Sequence, residues 1–179
     1  MAEIEIRSAV STDIPQLIKM DHTIETSYIW QVVLTKEDKE MNIHLLETRL
    51  PRPLILSYPK RINDMANNWN KYSLFLTARL NDKLVGYLTL TVDLDTLTAH
   101  ISDLVVDIAA REKGIASGLF ITVLNNLKNK GIRRLTLAVP VRNEAGVRFA
   151  QKLNMEFSGY IDHYFINHDA ALIFSLATK

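Results

Sequence analysis

The sequence predicts an α/β fold of the α+β kind: one domain over residues 1–179, with a mixed, mainly antiparallel central sheet and helices on both faces. Three observations carry this expectation. Residues 73–80 and 84–92 are apolar runs flanking the turn sequence Asn81-Asp82-Lys83, and they read as an antiparallel hairpin. A strand pattern from about Thr98 to Val106 breaks into a loop carrying Arg111, Lys113 and Gly114, then into a helix with Ile115, Leu119, Val123 and Leu127 on one face. Lys128, Lys130 and Gly131 close that helix with dipole-compatible charge and a terminal glycine, and Arg134 to Val139 follows as a short buried strand.

The remaining elements follow in order. Ile4 and Ile6 alternate as a first strand, and Ser11 or Thr12 can cap a helix bearing Ile14, Leu17, Ile18 and Met20. Residues 35–70 are the oddity within a variable segment of about 21–70. A helix-like stretch from Lys36 to Glu47 is followed by Pro51, Pro53 and Pro59, which fragment any long helix, and by the apolar trio Leu54-Ile55-Leu56. The segment reads as a surface excursion with one edge strand or as the wall of a substrate pocket, with Tyr28, Trp30 and Trp69 as its pocket aromatics. A turn at Asp93 to Thr96 leads into the strand before the loop. Asn143 is placed to cap a last helix bearing Val147, Phe149, Ala150 and Leu153, and strands near 156–165 and 171–177 finish the chain. There is no internal repeat or low-complexity segment.

Composition narrows the functional classes. The length of 179 residues suits one core burying roughly 70% of the unfolded surface. Twenty-one basic against twenty acidic residues leave no global field, and no basic stripe is interleaved with aromatics, so nucleic acid is not an expected partner. The absence of cysteine removes disulfides, a thiol nucleophile and a Cys-based zinc site. Met1 to Val10 carries acids and alternates, unlike a basic-then-apolar leader, and no apolar run approaches the roughly 18 residues that span a bilayer. A soluble, cytoplasmic protein without a membrane partner is expected, and a homodimer is left open. His163 and His168, beside Asp162 and Asp169, match no standard metal-ligand spacing and read as a polar hairpin tip, so no metal is expected.

The loop from Asp103 to Phe120 has the chemistry of a phosphate site. Amides opening a helix lack intrahelical partners, and with the positive end of the dipole they attract an anion. Gly114, Ala116 and Gly118 keep the adjoining surface small, and Arg111 and Lys113 add charge. Each helix-end contact is worth roughly 0.3–1 kcal/mol, so several donors must converge. The spacing Arg111-x-x-Gly114-x-Ala116 is neither a Walker loop nor a dinucleotide fingerprint.

Arg-x-x-Gly-x-Ala after an apolar strand resembles the acetyl-CoA pyrophosphate motif of the GNAT superfamily of N-acetyltransferases. Ile4-Glu5-Ile6-Arg7-Ser8-Ala9 with Asp13-Ile14-Pro15-Gln16-Leu17 is similar to the family's first strand and helix. Val139-Pro140-Val141-Arg142-Asn143-Glu144-Ala145 with Phe149 to Met155 resembles its fifth strand and following helix. The tail from Gly159 to Tyr164, then Ala171 to Ser175, is faintly similar to streptothricin-type acetyltransferases.

The resemblance implies acetyl transfer from acetyl-CoA, as cosubstrate, to a primary amine by direct attack on the thioester. An alkylammonium of pKa near ~10.4 costs roughly 4.6 kcal/mol to deprotonate at pH 7, whereas a thiol of pKa near ~8.5 leaves as thiolate for about 2 kcal/mol. The base therefore matters more than the acid. The resemblance places Asp103 as that base, on the sheet face of Ile101 and Val105 in an apolar setting, with pairing to a neighbouring cation or capping of a loop as the competing reading, while Asp107 organises the turn. The family's usual acid, a tyrosine on the last helix, aligns with Ala150, and the Leu-Gly-Phe after it becomes Leu153-Asn154-Met155. Tyr160 and Tyr164 are the candidate replacements, with ordinary packing as the competing reading. The cofactor residues implied are Leu104, Val105, Val106, Arg111, Glu112, Lys113, Gly114, Ile115, Ala116, Ser117 and Asn143, where Val105 and Val106 offer main-chain groups to the pantetheine and thioester if the strand splays. For a polycationic acceptor, Tyr28, Trp30 and the carboxylates Asp21, Glu25, Asp103 and Asp162 are candidate contacts, with Asp21 and Glu25 one helical turn apart; a solvated face accounts for these acids equally well, and protein N-termini, lysine side chains and small polyamines stay open as acceptors. A non-catalytic CoA-binding sensor module is the alternative, kept by Ala150.

Overall fold

The computed structural model describes residues 4–178; residues 1–3, part of the stretch read for a leader, and residue 179 lie outside the described residues. Seven strands form one sheet in the order β1 (Ile4–Ser8), β4 (Leu74–Leu80), β5 (Lys83–Asp93), β6 (Thr98–Val106), β7 (Arg134–Pro140), β9 (Ala171–Ala177), β8 (Glu156–Ile161). Every neighbouring pair is antiparallel except β6 and β7, which are parallel and joined through α3 (Ile115–Lys128). The α3 stripe Ile115, Leu119, Val123 and Leu127, with Val147 and Ala150 of α4 (Glu144–Lys152), packs into the main core with Leu88, Leu90, Ile101 and Leu135. A smaller cluster gathers Ile14 and Leu17 of α1 (Ile14–Ile18), Met65 of α2 (Met65–Asn68), Phe75, Tyr87 and Val105.

The variable segment departs from the expected helix. Residues 24–56 form a long antiparallel hairpin of β2 (Ile24–Lys36) and β3 (Met41–Leu56), reversed at Glu37–Glu40, where the Glu37 N–H donates to the Glu40 carbonyl at 2.8 Å. The partner strand, Ile29-Trp30-Gln31-Val32-Val33-Leu34, is rich in β-branched and aromatic residues, which favours pairing over the weak helical spacing of 36–47. Pro51 and Pro53 fall in the irregular stretch between the Tyr28–Arg49 and Thr26–Leu54 pairs, where no ladder amide is required. Glu25 consequently lies on a strand and Asp21 in the loop before it, so they share no helix face.

The first helix is also shorter than its apolar spacing suggests, and neither Ser11 nor Thr12 caps it through a side chain. Asp13 does the work instead. Its buried carboxylate accepts two hydrogen bonds from the Arg7 guanidinium, at 2.8 and 2.9 Å, and one from the Val10 N–H at 3.0 Å. The Arg7 bonds hold the Asp13 carboxyl below its ordinary value. Its contribution to stability is therefore complete above the unfolded carboxyl pKa of about 3.9 and is lost as pH falls through the lower folded value. Asp13→Asn is expected to cost about 1.5–3 kcal/mol in denaturant unfolding at neutral pH, with the gap to the parent narrowing below about pH 4.

The feature that positions the site is a break in the sheet. Pairing between β6 and β7 runs only from Thr98–Arg134 to Ile101–Leu137, although the strands continue to Val106 and Pro140. Past Ile101 the two splay, and the β7-facing edge of β6 has no strand partner.

Candidate active site

The splay opens a cavity of about 400 Å³ lined by Ser102 to Val106 on one side, Leu137 to Pro140 on the other, and the start of α3. Gly114, at φ +81°, precedes α3 in the left-handed conformation that glycine adopts without a Cβ penalty. Having no side chain, it supplies no capping oxygen, so the first-turn amides of α3 stay open to a ligand. Glycine is needed at Gly86 for a different reason: a Cβ there would lie 2.9 Å from the Val105 carbonyl oxygen and 3.3 Å from Ile115 Cγ2, forcing β5, β6 and α3 apart.

Most of the residues expected at a cofactor come together here. Leu104, Val105, Val106, Arg111, Glu112, Gly114, Ile115, Ala116, Ser117 and Asn143 all line the cavity. Asn143 caps α4 by accepting from the Gly146 N–H at 2.9 Å, and Asp107 caps the turn at Ile108–Ala110 by accepting from the Ala109 N–H at 3.0 Å. Lys113 is outside the lining, with Nζ turned to the Ala109 carbonyl at 3.4 Å. Arg111 lines the cavity but donates to the Val106 carbonyl at 3.1 Å and the Thr23 carbonyl at 2.7 Å, clamping the end of β6 to the start of β2. Lys152 at the end of α4 also lines the cavity, a cation that the loop motif gave no reason to select.

Asp103 is in the wall, on the face of Val105 as expected but not on that of Ile101. Thr89 pairs with Asp103 and Leu90 with Ile101, so Ser102 is bulged out of the ladder and the alternation reverses. Asp103 thus shares a face with Val105, while Ile101 packs into the main core. Its setting is polar rather than apolar. Oδ1 accepts from the Tyr58 hydroxyl at 2.7 Å and lies 3.3 Å from Lys60 Nζ, while Oδ2 accepts from the Thr89 hydroxyl at 2.7 Å and the Tyr72 hydroxyl at 3.4 Å. Burial, and next the Asp103 charge, raise the pKa values of Tyr58, Tyr72 and Tyr87, keeping these phenols protonated as donors.

Beside them, His22 lies 5.5 Å from the Tyr58 ring and 5.8 Å from the Tyr87 ring, centroid to centroid. Burial lowers its pKa, which favours the neutral ring. The Met20 carbonyl, 2.8 Å from Nδ1, can only accept, so Nδ1 carries the proton and Nε2 accepts from the Tyr87 hydroxyl at 3.1 Å. His22, Tyr58, Lys60, Tyr72 and Thr89 had no motif to mark them. Their only signal was residue type; the fold brings Tyr58, Lys60, Tyr72 and Thr89 onto Asp103 and sets His22 beside Tyr58 and Tyr87.

The other candidates lie elsewhere. Tyr160 sits on β8 packed against the main core, and Tyr164 is largely exposed at the bend after β8, which ends at Ile161 rather than continuing to 165. Neither lines the cavity, although Phe165 does. Ala150 is fully buried and its methyl side chain has no proton to give. Trp30 packs against the main core from β2, neither it nor Tyr28 lines the cavity, and Trp69 lines a separate groove with Pro15 and Ile18. The Asp21 carboxylate accepts from the Thr23 N–H and hydroxyl, while Glu25 and Asp162 are exposed; none of the three lines the cavity. Among the described residues no group of three His, Cys, Asp or Glu is placed to hold a metal, and no helix is long and apolar enough to cross a membrane.

Residues 40–155 match the model of the acetyltransferase (GNAT) family. No curated protein matches the chain. Among solved structures, a nourseothricin acetyltransferase superposes with a TM-score of 0.84 at 17% identity, covering 98% of this chain and 99% of the other. A protein from Bacillus anthracis described as a streptothricin acetyltransferase, solved with acetyl coenzyme A, gives 0.75 at 17% identity over 98% and 99%. The ribosomal-protein-S18-alanine N-acetyltransferase of Escherichia coli gives 0.70 at 17% identity over 99% and 95%. At these identities the likeness is one of fold.

Proposed function

The chain belongs to the acetyltransferase (GNAT) family, and from that premise we propose that the cavity between β6 and β7 holds acetyl-CoA and transfers its acetyl group to a primary amine at Asp103, with residues 1–179 acting as one domain. The observation that carries the reading is the splay itself. It opens an unpaired edge of β6 next to the uncapped start of α3 and within reach of one buried carboxylate.

The pyrophosphate fits against the first-turn amides of α3 beside Gly114, Ala116 and Ser117, with Lys152 adding charge from α4. The pantetheine fits the gap alongside Leu104 to Val106, whose unpartnered edge can donate to the thioester oxygen as negative charge develops there. Bound acetyl-CoA supplies the activated acyl group; the chain supplies orientation and proton management.

Asp103 suits two tasks. A carboxylate has about four lone-pair positions, and Tyr58 and Thr89 fill two with strong bonds at 2.7 Å. The other two are held loosely, by Tyr72 at 3.4 Å and Lys60 at 3.3 Å, and an incoming ammonium can take them. Asp103 then orients the amine and accepts its proton. The leaving thiolate needs no dedicated acid, since its penalty is only about 2 kcal/mol at neutral pH. The acceptor is a compact primary alkylammonium, and streptothricin is a reasonable member of a panel because a structural neighbour bears that name. The cytoplasm, where acetyl-CoA is made and used, is the compartment proposed.

The test is a calorimetric titration with acetyl-CoA, followed by a panel of streptothricin, polyamines, lysine peptides and N-terminal peptides analysed for N-acetyl product. Product with one class identifies the acceptor. Failure of acetyl-CoA to bind removes the cofactor assignment.

A further inference from the structure

Lys60 reaches the Asp103 carboxylate from the loop between β3 and α2. Its Nζ lies 3.3 Å from Asp103 Oδ1 and donates to the carbonyl of Ser102, the residue bulged from the β5–β6 ladder. An anion and a main-chain carbonyl together make an ammonium site, and Lys60, Ser102 and Asp103 all line the cavity. The loop is held so that Lys60 points inward: Tyr58 donates to Asp103 at 2.7 Å, and Pro59 is buried. Ordering a lysine side chain forfeits about 2 kcal/mol of rotamer entropy, so this inward placement requires compensating contacts.

The acceptor reading needs an alkylammonium on the loosely held positions of Asp103, and Lys60 is an alkylammonium already standing on one of them. We propose that Lys60 is a self-acetylation site, modified by acetyl-CoA bound in the same chain when no external amine occupies the cavity. The inference rests on the acetyltransferase reading above. In the step, the Lys60 ammonium gives one proton to the Asp103 carboxylate, and the freed Nζ lone pair bonds to the acetyl carbonyl carbon. The carbon–sulfur bond breaks, the proton shed by the new amide nitrogen goes to the departing sulfur, and Asp103 returns its proton to solvent. The products are a neutral acetyl-lysine and CoA thiol. Because the amide does not give its acetyl group back, each chain reacts once.

The test incubates the full chain with acetyl-CoA and no acceptor, followed by intact-mass measurement and peptide mapping. The expected result is one acetyl group per chain, on Lys60, accompanied by a burst of thiol stoichiometric with protein. The rate should be independent of protein concentration and slowed by added primary alkylamine. Lys60→Arg, which keeps the cation but offers no acylable amine near neutral pH, should abolish the burst. An unmodified Lys60 in a chain that acetylates an added amine overturns the proposal while leaving the enzyme reading intact. So does acetylation spread over exposed lysines such as Lys36, Lys39 and Lys128 at the rate seen for Lys60. Bound acetyl-CoA with neither Lys60 nor any added amine modified overturns both.

Discussion

Replacing Asp103 with Asn should lower amine-dependent thiol release from acetyl-CoA by about 10²–10⁴-fold while leaving the affinity for CoA within about twofold of the parent. The size of the effect follows from the proton that must leave. An alkylammonium at neutral pH is roughly 4.6 kcal/mol from its nucleophilic form, and of the two carboxylates that line the cavity among the described residues, Asp103 and Glu112, only Asp103 lies away from the loop proposed for the phosphates. Asn keeps the shape and still accepts through one oxygen, so Tyr58 or Thr89 retains a partner, while the charge that draws in the ammonium is gone. Thermal unfolding of the variant controls for folding, because a lost hydrogen bond at a buried carboxylate costs about 1.5–3 kcal/mol. The effect should appear in kcat as well as KM, since the carboxylate acts on both binding and proton transfer. A variant that turns over amine at the parental rate would show that the proton leaves by another route.

Gly114→Glu should act at the other end of the cavity, weakening CoA binding by about ten- to a hundredfold. Nothing lies within 4 Å of where a Cβ at this position would stand, so the side chain meets no protein atom, but φ is +81°. Placing an L-residue there costs about 1–2 kcal/mol. A carboxylate at a helix N-terminus returns about 0.3–1 kcal/mol through the dipole, so the fold should survive with little loss. The pyrophosphate is affected more. A like charge about 4 Å away repels it by about 1 kcal/mol in water and about 4 kcal/mol at the effective dielectric of a protein surface, and each 1.4 kcal/mol is a factor of ten. Calorimetric titration reads this directly. Unchanged affinity would place the phosphates elsewhere.

The two ends of the site differ in how far the sequence discloses them. The end proposed for the phosphates is local: strand, loop, Gly114 and the α3 stripe are contiguous, although Arg111 spends its donors on the Val106 and distant Thr23 carbonyls and Lys113 lies outside the lining. The acceptor end is assembled from far along the chain. Tyr58 and Tyr72 meet Asp103 across 45 and 31 residues, and no periodicity encodes such a meeting. The bulge at Ser102 compounds the difficulty, because one extra residue puts Asp103 on the face opposite Ile101. The β2–β3 hairpin was hidden for another reason. Its second strand carries apolar residues at spacings that suit helix and strand alike, and only pairing with the β-branched run at Ile29–Leu34 decides between them. Tyr160 and Tyr164 carry no motif, only residue type and nearness in sequence; Tyr160 packs on the main core within β8 and Tyr164 is exposed beyond its end, and neither lines the cavity.

Transfer itself is tested most directly by following thiol release from acetyl-CoA on the full chain, with and without a primary alkylamine, and identifying the product by mass spectrometry. The account predicts sustained release only when amine is present, above a single stoichiometric burst without it, with one N-acetyl amine formed per thiol. Tight binding of acetyl-CoA with no amine-dependent release across the acceptor panel would contradict it and leave a cofactor-binding module without turnover.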